Sequence, residues 1–103
     1  MEAERELYRC RINQPGDERS QGVAIVTNRY VILQWDHGSE TRIELPWIRI
    51  IWASKNIRET GLFSRKVSGL VMDARGGKGG SVMVLETPDA AEIVEHIKKA
   101  TGL

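Results

Sequence analysis

A single cysteine, Cys10, stands among 103 residues, so no disulfide can close within the chain. The two histidines, His37 and His96, lie at unrelated positions and complete no zinc-ligand spacing with it. This thiol economy points to a reducing compartment. An excess of charge of either sign is also missing. Fifteen Lys and Arg offset fourteen Asp and Glu, for a net charge of +1. That balance excludes a nucleic-acid binder driven by bulk charge and a disordered acidic chain. No apolar run approaches the ~18–20 residues of a membrane-spanning helix. The first six residues are charged, unlike a secretory signal. The expectation is one soluble, cytoplasmic domain spanning 1–103, excised from or ending a larger protein.

What is present is a series of short β-type runs followed by one helix. In 6–12, Tyr8, Cys10 and Ile12 share an apolar face and Leu7, Arg9 and Arg11 the other. Residues 13–21 read as a polar loop around Pro15-Gly16. A strand over 22–27 leads to Asn28-Arg29, a tight hairpin connection in which Asn tolerates positive φ. Over 30–36, Val31, Leu33 and Trp35 oppose Tyr30, Ile32 and Gln34, and 36–39 makes a turn. In 41–45, Ile43 and Leu45 point in and Arg42 and Glu44 out. Pro46 marks a bend, and 47–53 continues the meander. After a charged connection over 55–66 come strands over 67–74 and 81–86, joined by the Gly-rich 76–80. The helix spans 88–101, with Thr87 as N-cap, Pro88 in the first position and Gly102 at C′. Ala90, Ile93, Val94, Ile97 and Ala100 recur at helical spacing. The fold class is mainly β with one C-terminal α-helix. About seven antiparallel strands would form two near-orthogonal sheets or a partly open barrel, capped by the helix.

Three segments resemble the pleckstrin-homology-like superfold of PH, GRAM and phosphotyrosine-binding domains. Residues 22–33, with Thr27-Asn28 before an aliphatic run, are similar to its second and third strands. Glu40 to Pro46 followed by Ile50 resembles an Ile-x-Leu-Pro segment, and 81–99 resembles the closing strand and helix. PH helices commonly carry an inward Trp; here Ile93 and Ile97 must fill that space. The resemblance implies a PH-like barrel and an adaptor or scaffold role, in docking a partner or recruiting a protein to membrane or cytoskeleton. Fold alone does not choose among these.

The leading expectation is a non-catalytic module that docks a protein partner, or self-associates, through Trp47, Arg49 and Trp52. Trp and Arg are common interface anchors, and 47–52 is apolar on both faces. The plainer reading of the three tryptophans is core packing, most of all for Trp35. The mechanism would be strand addition or helix docking in a groove between the helix and a sheet edge. The alternative is a phosphoinositide or anionic headgroup held by Arg9, Arg11, Arg19 and Lys78, the lipid-binding positions the resemblance implies. Against it stand Asp17 and Glu18 in the same loop. A further membrane or partner loop would use Arg58, Phe63, Arg65 and Lys66, unless Phe63 folds back as a cap. In 76–81 the Lys precedes its Gly and a strand follows, so the segment is no P-loop. His37 beside Asp36, the Glu92–His96 pair and mid-strand Cys10 form no catalytic constellation. No cofactor, metal or nucleic-acid partner is expected.

Overall fold

Alternation of apolar and polar side chains dictates strands, and the computed structural model places them where most of the alternation lies. It describes residues 3–15, 17–55, 67–74 and 81–103, the side chains of 17–19 and 81 excepted. Among these residues the order is β1 (Glu6–Gln14), β2 (Asp17–Thr27), β3 (Tyr30–Trp35), β4 (Glu40–Glu44), a 3-10 turn (Leu45–Trp47), β5 (Ile48–Ser54), β6 (Gly69–Ala74), β7 (Ser81–Glu86) and α1 (Ala90–Thr101). The strands form one antiparallel sheet, ordered β4-β3-β2-β1-β7-β6-β5. The hydrogen-bonded ladder is continuous and does not divide into the two sheets expected. Its narrowest seam is the β1–β7 junction, a single pair, Asn13 with Glu86.

The connection between β4 and β5 forces the sheet to curl. These strands occupy opposite edges, six spacings or about 29 Å apart if the sheet were flat. Only three residues join them, and four chain steps reach about 14 Å at most. The edges must therefore approach at this corner, though β4 and β5 do not pair and the sheet stays open.

Inside the curl, side chains line up in cross-strand rows. One row runs Tyr8, Val26, Val31, Ile43; the next Cys10, Ala24, Leu33, Thr41; a third Ile12, Gly22, Trp35. Leu70, Met72 and Leu85 complete the core from β6 and β7. Trp35 is only half-buried, at a slot of about 260 Å³ that Met83 and Leu85 also line. Helix α1 buries Ala90, Ile93, Val94 and Ile97, the stripe its spacing predicts, with Ala100 half-buried. Gly102 ends it at φ 78, donating to the Lys98 carbonyl at 2.8 Å.

Four local expectations are corrected. The polar stretch 13–21 is mostly strand: β1 runs to Gln14 and β2 begins at Asp17, with Gln14 opposite Asp17. Pairing with β1 stabilises polar residues that carry no strand signal of their own. Leu45–Trp47 is a 3-10 turn, so Leu45 points in without belonging to β4 and Trp47 precedes β5. The helix begins at Ala90 with Asp89 as N-cap; Thr87 acts two residues earlier, its Oγ1 accepting from Asp89 N at 3.2 Å.

The β2–β3 hairpin is the fourth. No described non-glycine residue has positive φ, so Asn28 is not there for backbone freedom. Thr27 sets the turn instead: its Oγ1 accepts from Arg29 N at 3.1 Å and Tyr30 N at 2.9 Å. Asn28 pins the N-terminal segment, its Oδ1 accepting from Arg5 N at 2.8 Å and its Nδ2 donating to the Ala3 carbonyl at 3.1 Å. Thr27 is buried, so Thr27→Val keeps the shape and strands two amides. It should lower stability by about 1–3 kcal/mol, read from urea unfolding. An unchanged midpoint would mean that water replaces the hydroxyl.

Candidate functional site

The outer face of the sheet differs sharply between its two ends. On the four-strand end a row runs Arg9, Ile25, Ile32, Arg42. Ile25 and Ile32 are buried although they lie outside the main core. An arginine flanks each end of the pair, where its alkyl stem can cover apolar surface. Both guanidinium groups are occupied. Arg9 Nε donates to the Glu6 carboxylate, 3.1 Å from each oxygen, and this bond holds the Glu6 carboxyl below its usual value. Arg42 reaches Glu40 at 3.1 Å and Glu4 at 3.6 Å and lies over the Tyr30 ring at 5.5 Å. In the adjoining row, Arg11, Val23, Gln34, Glu40, the Gln34 amide donates to Glu40 at 2.9 Å and leads the lowering of its pKa.

This placement bears on the headgroup residues. Arg9 and Arg11 share the outer face of β1, with Arg9 engaged by Glu6. The Arg19 side chain and all of Lys78 lie outside the described residues, as do Arg58, Phe63, Arg65 and Lys66. The described residues therefore bring together two members of the headgroup set and none of the basic loop.

The three-strand end presents an apolar outer face. A β-bulge produces it. Ile48 pairs with Ala74 and Ile50 with Asp73, leaving Arg49 as the extra residue. The bulge puts Ile48 and Ile51 inside and Ile50 and Trp52 outside. Sequence alternation instead groups Ile48 with Ile50. Across β6 and β7 the outer rows are Trp52, Val71, Val84 and Ile50, Asp73, Val82. Val82 is 66% exposed, Ile50 53%, Trp52 46%, and Trp47, in the adjacent turn, 36%. Arg49 meets Asp73 at 3.4 Å, so these two charges neutralise each other within the sheet. Of the three residues anticipated from sequence, Arg49 and Trp52 lie on the outer side of β5, and Trp47 lies in the turn that precedes it. Ile50 and Val82 were missed. Their signal was present: 48–52 and 82–85 are apolar at positions of both parities, more than a strand with one buried face needs.

The remaining candidates lie elsewhere. A cleft of about 600 Å³ opens between Asn28-Arg29, Leu45-Pro46 and the helix end at Ala100-Thr101. This is the groove between helix and sheet edge, and neither Trp47 nor Trp52 lines it. His37 bonds Ser39 within its own turn. His96 is half-buried and stacks on Tyr8, centroids 4.5 Å apart at 13°, instead of forming a surface pair with Glu92. Burial pushes the Tyr8 phenol up. It pushes the Cys10 thiol up too, partly offset by Thr87 Oγ1, which donates to Sγ at 3.7 Å. A thiol above its usual range is a poor nucleophile. Among the described residues no helix is long and apolar enough to cross a membrane. No family model, curated protein or solved structure matches this chain.

Proposed function

We propose that the chain is a non-catalytic PH-like interaction module that docks a protein partner, or assembles a larger protein, through the outer face of β5, β6 and β7. The strand order supports the PH-like reading, with its four-strand and three-strand blocks meeting at a one-pair seam and a helix laid across the curl. In that reading the seam is the corner between two near-orthogonal blocks. One observation carries the function: Ile50, Trp52 and Val82 stand exposed on a single face beside Trp47 and the neutralised Arg49–Asp73 pair. Aromatic anchors with arginine at a water-excluding centre are the usual source of binding energy at protein interfaces.

The test is a photo-crosslinking residue at position 52, with identification of the captured protein and titration of the purified pair. Trp52→Ala should weaken that complex about tenfold or more. Arg9→Ala combined with Arg11→Ala should leave it unchanged. The contrary result is salt-sensitive binding to phosphoinositide vesicles that the arginine pair abolishes and Trp52→Ala spares. That outcome would replace the docking reading with headgroup recognition.

A further inference from the structure

Resting on that reading of the β5 face, we infer that its occupant is a second copy of this chain, with β5 pairing antiparallel to the β5 of its partner about a two-fold axis through Ile51. The two edges of the sheet are treated differently. Edge β4 carries Glu40, Arg42 and Glu44, charges that discourage strand addition. Edge β5 reads Ile-Arg-Ile-Ile-Trp-Ala-Ser, and its single charge is bound to Asp73 of its own sheet. An edge without such protection, beside an apolar face, is where another strand adds.

Self-pairing fits this strand in one register. A two-fold axis opposes residues whose numbers have a constant sum. With Ile51, the middle residue, on the axis, Ile50, Ile51 and Trp52 each meet a partner residue on their own face, and the face match ends at the bulge. Trp52 then opposes the partner's Ile50, and Ile50 the partner's Trp52, two aromatic–β-branched pairs on the outer face. Arg49 opposes the partner's Ala53, so no like charges meet. Moving the axis to Trp52 would set Arg49 against the partner's Lys55. Moving it to Ile50 would set outward Trp52 against the partner's inward Ile48. Edge pairing brings the facing sides of Ile50 and Trp52 together but leaves Val82, two strands inward, uncovered, so the buried area falls below that of a standard interface and suits a reversible dimer.

Sedimentation equilibrium from low micromolar to submillimolar concentration tests this. The unmodified chain should pass from monomer to dimer. Ile50→Glu and Trp52→Lys, at half-exposed positions, should each weaken association about tenfold or more. An equimolar mixture of the two variants should recover it, because a carboxylate then faces an ammonium and the other Ile–Trp pair is intact. Hydrogen exchange on the unmodified chain gives a mutation-free check: β5 amides should gain protection as concentration rises. A chain that stays monomeric throughout would overturn the second copy while leaving partner docking to its own titration. Variants that dimerise like the parent, or a mixture no tighter than either alone, would overturn the β5 register.

Discussion

Gly22→Ala should destabilise the fold by about 2–3 kcal/mol and lower the melting temperature on the order of 10 °C or more. Gly22 sits in the middle of β2, between Ile12 on β1 and Trp35 on β3. A Cβ there would lie 2.4 Å from the Gln34 carbonyl oxygen and 2.9 Å from a ring carbon of Trp35. The first contact is backbone, so relief requires the β2–β3 ladder to open, not a side chain to turn. Alanine also restricts the unfolded chain, which works in the stabilising direction by about 0.4–1 kcal/mol. The steric term is larger and decides the sign. Gly38 separates space from conformation: nothing lies within 4 Å of its Cβ position, and only its φ of +105° opposes a side chain. Thermal melts of both variants make the comparison. A Gly22→Ala chain as stable as the parent would mean that the ladder relaxes at Trp35, which is already half-exposed.

The elements that could be read from sequence are those with one buried face. Val31, Leu33 and Trp35 alternate because β3 is buried in the curl, and Ile93, Val94 and Ile97 recur because α1 is buried along one stripe. Both periods follow directly from burial. The bulge at Arg49 had no such imprint. Ile48, Ile50, Ile51 and Trp52 are all apolar, so either phase fits the sequence, and pairing with β6 chooses between them. The same indifference concealed Ile50 while leaving Trp47 and Trp52 visible as unusual residues. Ile25 and Ile32 illustrate a different limit. Their outward parity is readable, but their burial is set by what the fold brings against them, and only pairing places Arg9 and Arg42 at the two ends of their row. Thr27 and Asn28 announce a turn by residue type. Which of them sets the turn and which one pins the N-terminal segment is a matter of geometry. Half of the proposed headgroup set, the Arg19 side chain and Lys78, falls outside what the structure describes, whereas the β5 face falls within it.

Ile97→Ala should cost about 3–4 kcal/mol, and Ile97→Val no more than about 1.5 kcal/mol. Ile97 is 0% exposed, as is Ile93 one turn earlier. Alanine is the better helix former by a few tenths of a kcal/mol, so the loss must come from the cavity and not from the helix itself. For a chain of 103 residues, total stability on the order of 5–15 kcal/mol makes this a large fraction. The location enlarges the consequence. Helix α1 packs on β1 and β2 and also on β5, β6 and the 3-10 turn, so its apolar stripe ties together two blocks that share a single backbone pair. Weakening the stripe should loosen the blocks from each other before either melts. In urea, Ile97→Ala should therefore lose cooperativity as well as midpoint, with exchange of β3 amides on one block and of β6 amides on the other following separate curves. Coincident curves with a midpoint loss alone would show that the sheet transmits stability across the Asn13–Glu86 seam without the helix. A cost below about 1 kcal/mol would mean that the curl closes on its own side chains and that α1 merely covers it.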